Sequence, residues 1–282
     1  MTGVSDGSVA LPARSLRPFV RRYEGYRLSG FPAGSHVGMP SVDLTIILPI
    51  GAPLTISRTA MIDQSPGEFG ALASGLGVEP VVIEHDGYQH GIQISLTPAG
   101  CRALLHVPPA ALRQYIVSLD DLLGDDAPRL LDGVHAASGW AAAFTVVDRI
   151  LVGRLGRATL PDARLDRAWI QLTGPASVTV GQVAADAEWS RRRLETRFAS
   201  EFSVTPRDAI RLGRFTRAHA MLRAPEPPRF AEVASACGYF DQAHMARDWR
   251  SLAGSAPSVW RANEVFASVQ DDSTASATGS TV

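Results

Sequence analysis

The stretch Val233-Ala-Ser-Ala-Cys-Gly-Tyr-Phe-Asp-Gln-Ala-His-Met-Ala-Arg-Asp-Trp249 decides how this chain is read. It has an earlier counterpart, Val183-Ala-Ala-Asp-Ala-Glu-Trp-Ser-Arg-Arg-Arg-Leu-Glu-Thr-Arg-Phe198. The two are offset by 50 residues before a central turn and by 51 after it, so the second turn carries one extra residue. Both run on to a proline, Pro206 and Pro257. Self-similarity of this kind marks a repeated structural unit. Each copy reads as helix, short turn, helix. Thr179 is the N-cap expected for the first helix of the earlier copy, and Ser190 and Asp241 cap the second helices. Ala184 and Ala234 are small enough to let two helices cross closely. Gly238 supplies the positive φ that such a corner often needs.

Leu194 and Phe198, like Met245 and Trp249, are spaced i and i+4, which places each pair on one buried stripe. That orientation turns Arg192, Glu195 and Thr196 outward in the first copy and Gln242, Ala243 and Arg247 outward in the second. An exposed helix carrying Arg and Gln suits the major groove of duplex DNA, where Arg donates twice to guanine and Gln reads adenine. The helix N-termini and the flanking arginines can hold phosphates. The intervening segment from Pro206 to Arg223 predicts a helix of 18 residues, roughly 27 Å long at 1.5 Å per residue. That length is of the order of one DNA turn, about 34 Å, so two reading helices on such a rod can enter successive grooves. An ordinary helical hairpin is the alternative for one copy. Two copies with matched core positions, caps and closing prolines argue against it.

Residues 165–262 resemble the C-terminal DNA-binding domain of the arabinose-regulator (AraC/XylS) family. The resemblance is strongest in A-S-A-C-G-Y-F-D-Q-A-H-M-A-R-D-W-R-S-L-A-G-S-A-P, Ala234 to Pro257, and extends to R-F-T-R-A-H-A-M-L, Arg214 to Leu222. It implies a double helix-turn-helix that binds double-stranded DNA as a transcription regulator. The contact set it implies comprises Arg191, Arg192, Arg193, Glu195, Thr196 and Arg197 on the first reading helix. On the second it comprises Asp241, Gln242, Ala243, His244, Arg247 and Arg250, with His244 at the phosphate edge. The first copy departs from the pattern: Glu188 stands where the turn glycine is usual, Thr196 where Arg is common, and Ser203 where Gly is common.

The rest of the chain is of a different character. Short β-like runs punctuated by Gly and Pro fill Leu16 to Leu96. Val42 to Leu48, Ala52 to Ile56, Val78 to Glu84 and Gly91 to Leu96 are the strand candidates, with Leu16 to Tyr23 as a short lead-in helix. Thr97-Pro98 starts a helical region that includes Ser118 to Leu123 and a long amphipathic helix from Trp140 to Leu155. The expected fold is therefore α+β: a mixed, β-rich domain over 11–157, with a cupin-like barrel among its candidate forms and trailing helices, then an all-α domain over 164–264. Residues 156–163 form the linker, and 1–10 and 268–282 are expected to be disordered tails. The N-terminal half, in Pro12 to Tyr23, V-D-L-T-I-I-L and T-P-A-G-C-R-A-L-L-H-V-P, is similar to an uncharacterised subgroup of sensor domains in the same family. The resemblance implies ligand binding, dimerisation or both.

Composition bounds the alternatives. The 282 residues carry 27 basic and 28 acidic side chains, every basic one an arginine. Residues 161–262 hold 15 Arg against 11 acids, and the remainder 12 against 17. The basic share sits where a polyanion would bind. No run of about 18 apolar residues and no secretory signal pattern is present, which predicts a soluble, cytoplasmic protein without a membrane partner. His36, His85, His90 and His106 show no metal-ligand spacing, and His85 and His90 would face opposite sides of a single strand. Cys101 and Cys237 read as structural thiols. Asp120-Asp121 and Asp125-Asp126 read as caps and solvated loop charges, and Gly70 to Gly77 as a loop. No catalytic constellation, metal site or cofactor is expected. A small-molecule effector, RNA polymerase and a second copy of the chain remain open as partners. Two other readings also remain open: a DNA-binding protein without a ligand, whose N-terminal domain only dimerises, and a small-molecule enzyme with a helical passenger.

Overall fold

The computed structural model describes residues 3–113, 115–157 and 162–263. Ten strands come first: β1 (Val4–Ala10), β2 (Val20–Ser29), β3 (Gly34–Gly38), β4 (Leu44–Pro49), β5 (Leu54–Arg58), β6 (Gly67–Phe69), β7 (Leu72–Ser74), β8 (Val81–His85), β9 (Gln89–Leu96) and β10 (Ile116–Ser118). They form two facing antiparallel sheets, ordered β1-β2-β9-β4-β7-β10 and β3-β8-β5-β6. In β9 the alternation is plain. Ile92, Ile94 and Leu96 are fully buried on one face, while Gln93 and Ser95 alternate to the other, as a two-residue period requires. The apolar face joins Tyr23, Leu44, Ile46 and Leu48 and packs on helices. These are α1 (Pro98–Gly100), a turn of helix over Cys101–Leu105, α2 (Pro109–Leu112), α3 (Leu119–Leu123), α4 (Asp126–His135) and α5 (Trp140–Arg154). The polar face of the same sheet looks toward the second sheet.

Two expectations are corrected here. Residues 4–10 are not a disordered tail: they pair along their whole length with β2, from Val4 opposite Ser29 to Ala10 opposite Tyr23. Backbone hydrogen bonding to a long neighbour needs no apolar sequence, which is why the polar stretch hid it. Leu16 to Tyr23 is not a helix but a short 3-10 turn at Arg14–Leu16 followed by the start of β2. Of the expected linker, residues 158–161 lie outside the described residues, as does the expected tail at 268–282.

The second half is helical: α6 (Ala163–Thr173), α7 (Val180–Asp186), α8 (Arg191–Phe202), α9 (Pro206–Leu222), α10 (Phe230–Ala236), α11 (Gln242–Ala253) and α12 (Pro257–Asn263). Thr179, Ser190 and Asp241 cap their helices as the sequence predicts, and Thr205 caps α9 in addition. The Thr179 side chain accepts from the Gln182 N–H, Ser190 from Arg193, Thr205 from Asp208 and Asp241 from His244. In the first unit Trp169 lies 4.7 Å from Phe202 and 5.6 Å from Phe198, ring centre to ring centre. In the second, Trp249 lies 4.8 Å from Phe215 and 5.1 Å from Trp260. One continuous buried core runs from Leu16 of the β-rich part through the first unit to Ala209. A second begins at Leu212 and closes the other unit, with Met39, Val42 and Val78 packed against it. The first unit is further tied to the β-rich half by a two-pronged ion pair, Arg102 to Glu201, at 2.5 Å for both contacts.

The two turns have the same hydrogen-bond geometry. The Trp189 N–H donates to the Ala184 carbonyl at 2.9 Å, and Tyr239 to Ala234 at 2.9 Å. Both require a left-handed residue, and Glu188 adopts φ +58° where Gly238 adopts +79°. A side chain in that region costs about 1–2 kcal/mol. Glu188→Gly should therefore raise the unfolding free energy by about 1 kcal/mol in a urea titration, and Gly238→Ala should lower it by a similar amount. A loss of stability in Glu188→Gly would mean that contacts of the Glu188 side chain outweigh its backbone strain.

Candidate functional site

With the aromatic stripes buried, the opposite faces of α8 and α11 are left to solvent. Leu194, Phe198, Met245 and Trp249 are fully buried. Arg191, Arg192, Arg193, Glu195, Thr196 and Arg197 are exposed on α8, and Asp241, Gln242, Ala243, Arg247 and Arg250 on α11, with His244 half-buried. The six α8 residues are not equivalent. The Arg193 and Arg197 guanidiniums sit over the Trp189 ring, at 5.6 and 6.0 Å, and Arg197 also pairs with Asp162 at 3.6 Å. They flank the helix, while Arg192, Glu195 and Thr196 form its outward strip. On α11, the Asp241 carboxylate is taken up by the His244 N–H at 2.6 Å. The Phe240 N–H donates to His244 Nδ1 at 3.3 Å, which leaves the Nε2 edge to donate outward. Arg250 lies at the far end of the helix, beside a shallow groove against Arg58 and Pro80 of the β-rich half.

Phe240 is not among the contact residues expected from the sequence. It is the extra residue of the second turn, and at 91% exposure it is a bare aromatic beside the α11 cap. The one-residue slip in the repeat was the available signal.

A second feature lies between the sheets. A cavity of about 630 Å³ is floored by the polar face of the six-stranded sheet and roofed by the four-stranded one. Its mouth is closed from the helical half by Thr216, His219, Ala220 and Arg223 of α9 with its continuation, and by Trp260 of α12. Its floor residues carry no mark in the sequence, because alternate polar positions in a strand read as a solvated face. Of the histidines, His85 and His90 lie on different sheets rather than on one strand, and His36 faces His85 at 5.8 Å. Burial and the neighbouring His85 push the His36 imidazole down to about 4. Among the described residues, no group of three metal-ligating side chains comes together. Cys101 is fully buried, and burial pushes its thiol up to about 12; Cys237 is also buried.

Residues 183–263 match the family model of a helix-turn-helix domain. No curated protein sequence matches the chain. Among solved structures, ToxT from Vibrio cholerae is similar with 11% identity, over 91% of this chain and 97% of that chain, at a TM-score of 0.51. An apo form of ToxT from Vibrio cholerae strain SCE256 gives 0.53 at 8% identity, over 85% of this chain and 96% of that chain. A transcriptional regulator with an AraC-type DNA-binding domain from Chromobacterium violaceum covers 37% of this chain and 94% of its own, at 21% identity and a TM-score of 0.34. The ToxT likeness places the β-rich half and the helical half in one known α+β fold. The helical half carries a helix-turn-helix domain, the kind of unit that lays a helix into the major groove of duplex DNA. Among the described residues, no helix is long and apolar enough to cross a membrane.

His219 gives this architecture a pH signature. It is packed against Phe215, Trp249 and Trp260, with ring centres 6.1, 6.1 and 4.9 Å away, and the surface it retains lines the cavity. Burial, with Arg223 and Arg22 adding to it, pushes the imidazole down to about 3. The unfolded chain takes up this proton near pH 6.5 and the folded one resists it, so stability falls as pH drops below 6.5. Between pH 7 and pH 5 the loss from this group should be between about 1 and 2 kcal/mol. Urea unfolding at both pH values should show that His219→Phe loses less stability over this interval by that amount; equal losses would place the folded imidazole near its ordinary value.

Proposed function

We propose that α8 and α11 read two successive major-groove faces of one DNA site, and that an occupant of the inter-sheet cavity controls this binding. One observation carries the first part: two units with the same turn geometry and caps bury matching stripes and leave Arg- and Gln-bearing faces outward, joined by the 17 residues of α9. In this reading Arg192, Glu195 and Thr196 face bases in one groove, and Gln242, Ala243 and Arg247 face bases in the next. Arg191, Arg193, Arg197, Arg250 and His244 line phosphates, Asp241 holds the start of α11, and Phe240 packs on the backbone sugars beside it. Thr196 makes the first groove the weaker reader.

The cavity supports the second part. Its walls belong to both halves, so an occupant touches the sheets and the C-terminal part of α9 together. It would bias where the second reading unit sits, a coupling of about 1–3 kcal/mol by common magnitudes. The β-rich unit, 11–157 extended back to residue 4, then acts as sensor and the helical unit, 164–264, as reader. The ligand is bound and released unchanged, with no cofactor. RNA polymerase is the downstream partner, and a second copy of the chain pairs through the N-terminal half. Its outer strand β1 carries the exposed Val4 and Val9.

Selection of bound sequences from a random DNA pool with the full-length protein should return a site with two recognisable blocks about one helical turn apart. Arg247→Ala should weaken binding by about 1–3 kcal/mol and relax preference within one block only. Loss of affinity that is equal for all sequences would make Arg247 a phosphate contact, and unchanged affinity would remove α11 from the interface.

A further inference from the structure

The floor of the cavity holds an ordered row of hydrogen-bonding groups. β-Pairing sets Arg22 opposite Ser95, Ser95 opposite Thr45, and Thr45 opposite Ser74, across four adjacent strands. Neighbouring strands lie about 4.8 Å apart, so the three hydroxyls span roughly 10 Å in a line. Gln93 stands in the next row opposite Glu24, and Gln89 lies further along β9. All of these side chains line the cavity. Among the described residues, the side chains of Ser74, Gln89, Gln93, Ser95 and Thr45 make no hydrogen bond within the protein. Over this floor the second sheet presents Leu54, Ile56, Val81 and Ile83. The floor therefore offers a row of open donors and acceptors bordered by Ile47, Leu72 and Ile116, and the roof is mostly hydrocarbon, with His36 at its edge.

Its charges are already balanced. Three arginines, Arg21, Arg22 and Arg223, and three carboxylates, Glu24, Asp43 and Glu79, line it. Arg21 holds Asp43 at 3.1 Å and Arg22 holds Glu24, while Glu79 and Arg223 are engaged within the protein as well. A carboxylate or ammonium ligand would have to compete with one of these pairs or bring in a charge without a counterpart. A sugar, polar all round, would press hydroxyls against the apolar roof without partners.

From this geometry we infer that the cavity takes an uncharged amphipathic molecule, with hydroxyl or carbonyl groups along one edge to meet the Ser95–Thr45–Ser74 row and a hydrocarbon body against the second sheet. A volume of about 630 Å³ suits a molecule of drug-like size. This rests on the reading of the cavity as the effector site and specifies the chemistry of its occupant.

The test uses the full-length protein and three probes: 1-monooctanoylglycerol, which is uncharged and amphipathic, its charged relative octanoate, and glucose. In thermal unfolding, monooctanoylglycerol at a hundredfold excess over its Kd should raise the midpoint by about 5 °C, while octanoate and glucose leave it within a degree or so. The variant pair Thr45→Val and Ser95→Ala, each close in shape to the original, should keep the unliganded midpoint and weaken binding of monooctanoylglycerol about tenfold each. Octanoate or glucose stabilising as well as the glyceride would overturn the assigned chemistry and leave the effector reading standing. No shift with any probe would overturn both. Undiminished binding in the two variants would take the ligand off the hydroxyl row.

Discussion

The structure depends on α9 lying with its two ends in two different cores. Its start is held by Thr205 and Asp208, whose side chains and backbones exchange hydrogen bonds. Ala209 belongs to the core that closes the first helix-turn-helix unit, and Leu212, Phe215, Ala218 and Leu222 to the core that closes the second. Gly213 marks the crossing point with α6: a Cβ there would come within 2.4 Å of the Thr173 carbonyl oxygen, so no larger residue fits without moving the two helices apart. Arg217 donates to the Thr173 and Gly174 carbonyls at 2.7 and 2.8 Å, which satisfies the end of α6 from α9. Arg211 reaches Asp248 on α11 at 2.7 Å. The relative orientation of α8 and α11 is thus set by one helix and the groups that clamp it.

The same helix also bounds the cavity. Its inner flank carries Phe215 and Ala218 into the second core, and the neighbouring Thr216, His219 and Ala220 meet the space between the sheets. The first unit is bound to the β-rich half by a shared core and by the Arg102–Glu201 pair, whereas the second meets it through Met39, Val42 and Val78 and along the groove where Arg250 and Gly254 face Arg58 and Pro80. The less typical first unit, with Glu188 in a strained turn and Thr196 in place of a longer donor, is also the more firmly anchored one.

Much of the helical half could be read in advance because its determinants are local. Caps such as Thr179, Ser190 and Asp241 act on N–H groups three residues away, and the Leu194–Phe198 and Met245–Trp249 stripes follow from a helical period of 3.6. Repetition then raised a pattern that is weak once to one that is specific twice. The β-rich half was less legible. Its strand positions near Leu44 and Gln89 were approximately visible, but β1 was not, since a strand whose partner is β2 announces itself only through that pairing.

The chain of residues therefore specified α8 and α11 and their outward faces, since each depends on contacts within a few turns. It could not specify the cavity. Ser95, Thr45 and Ser74 are scattered polar positions in three separate strands, and nothing local distinguishes them from solvated ones. Register across the sheet brings them into one row, and the packing of the second sheet and α9 over that row makes it the floor of a cavity. Long-range pairing and closure of this kind are properties of the whole assembled chain.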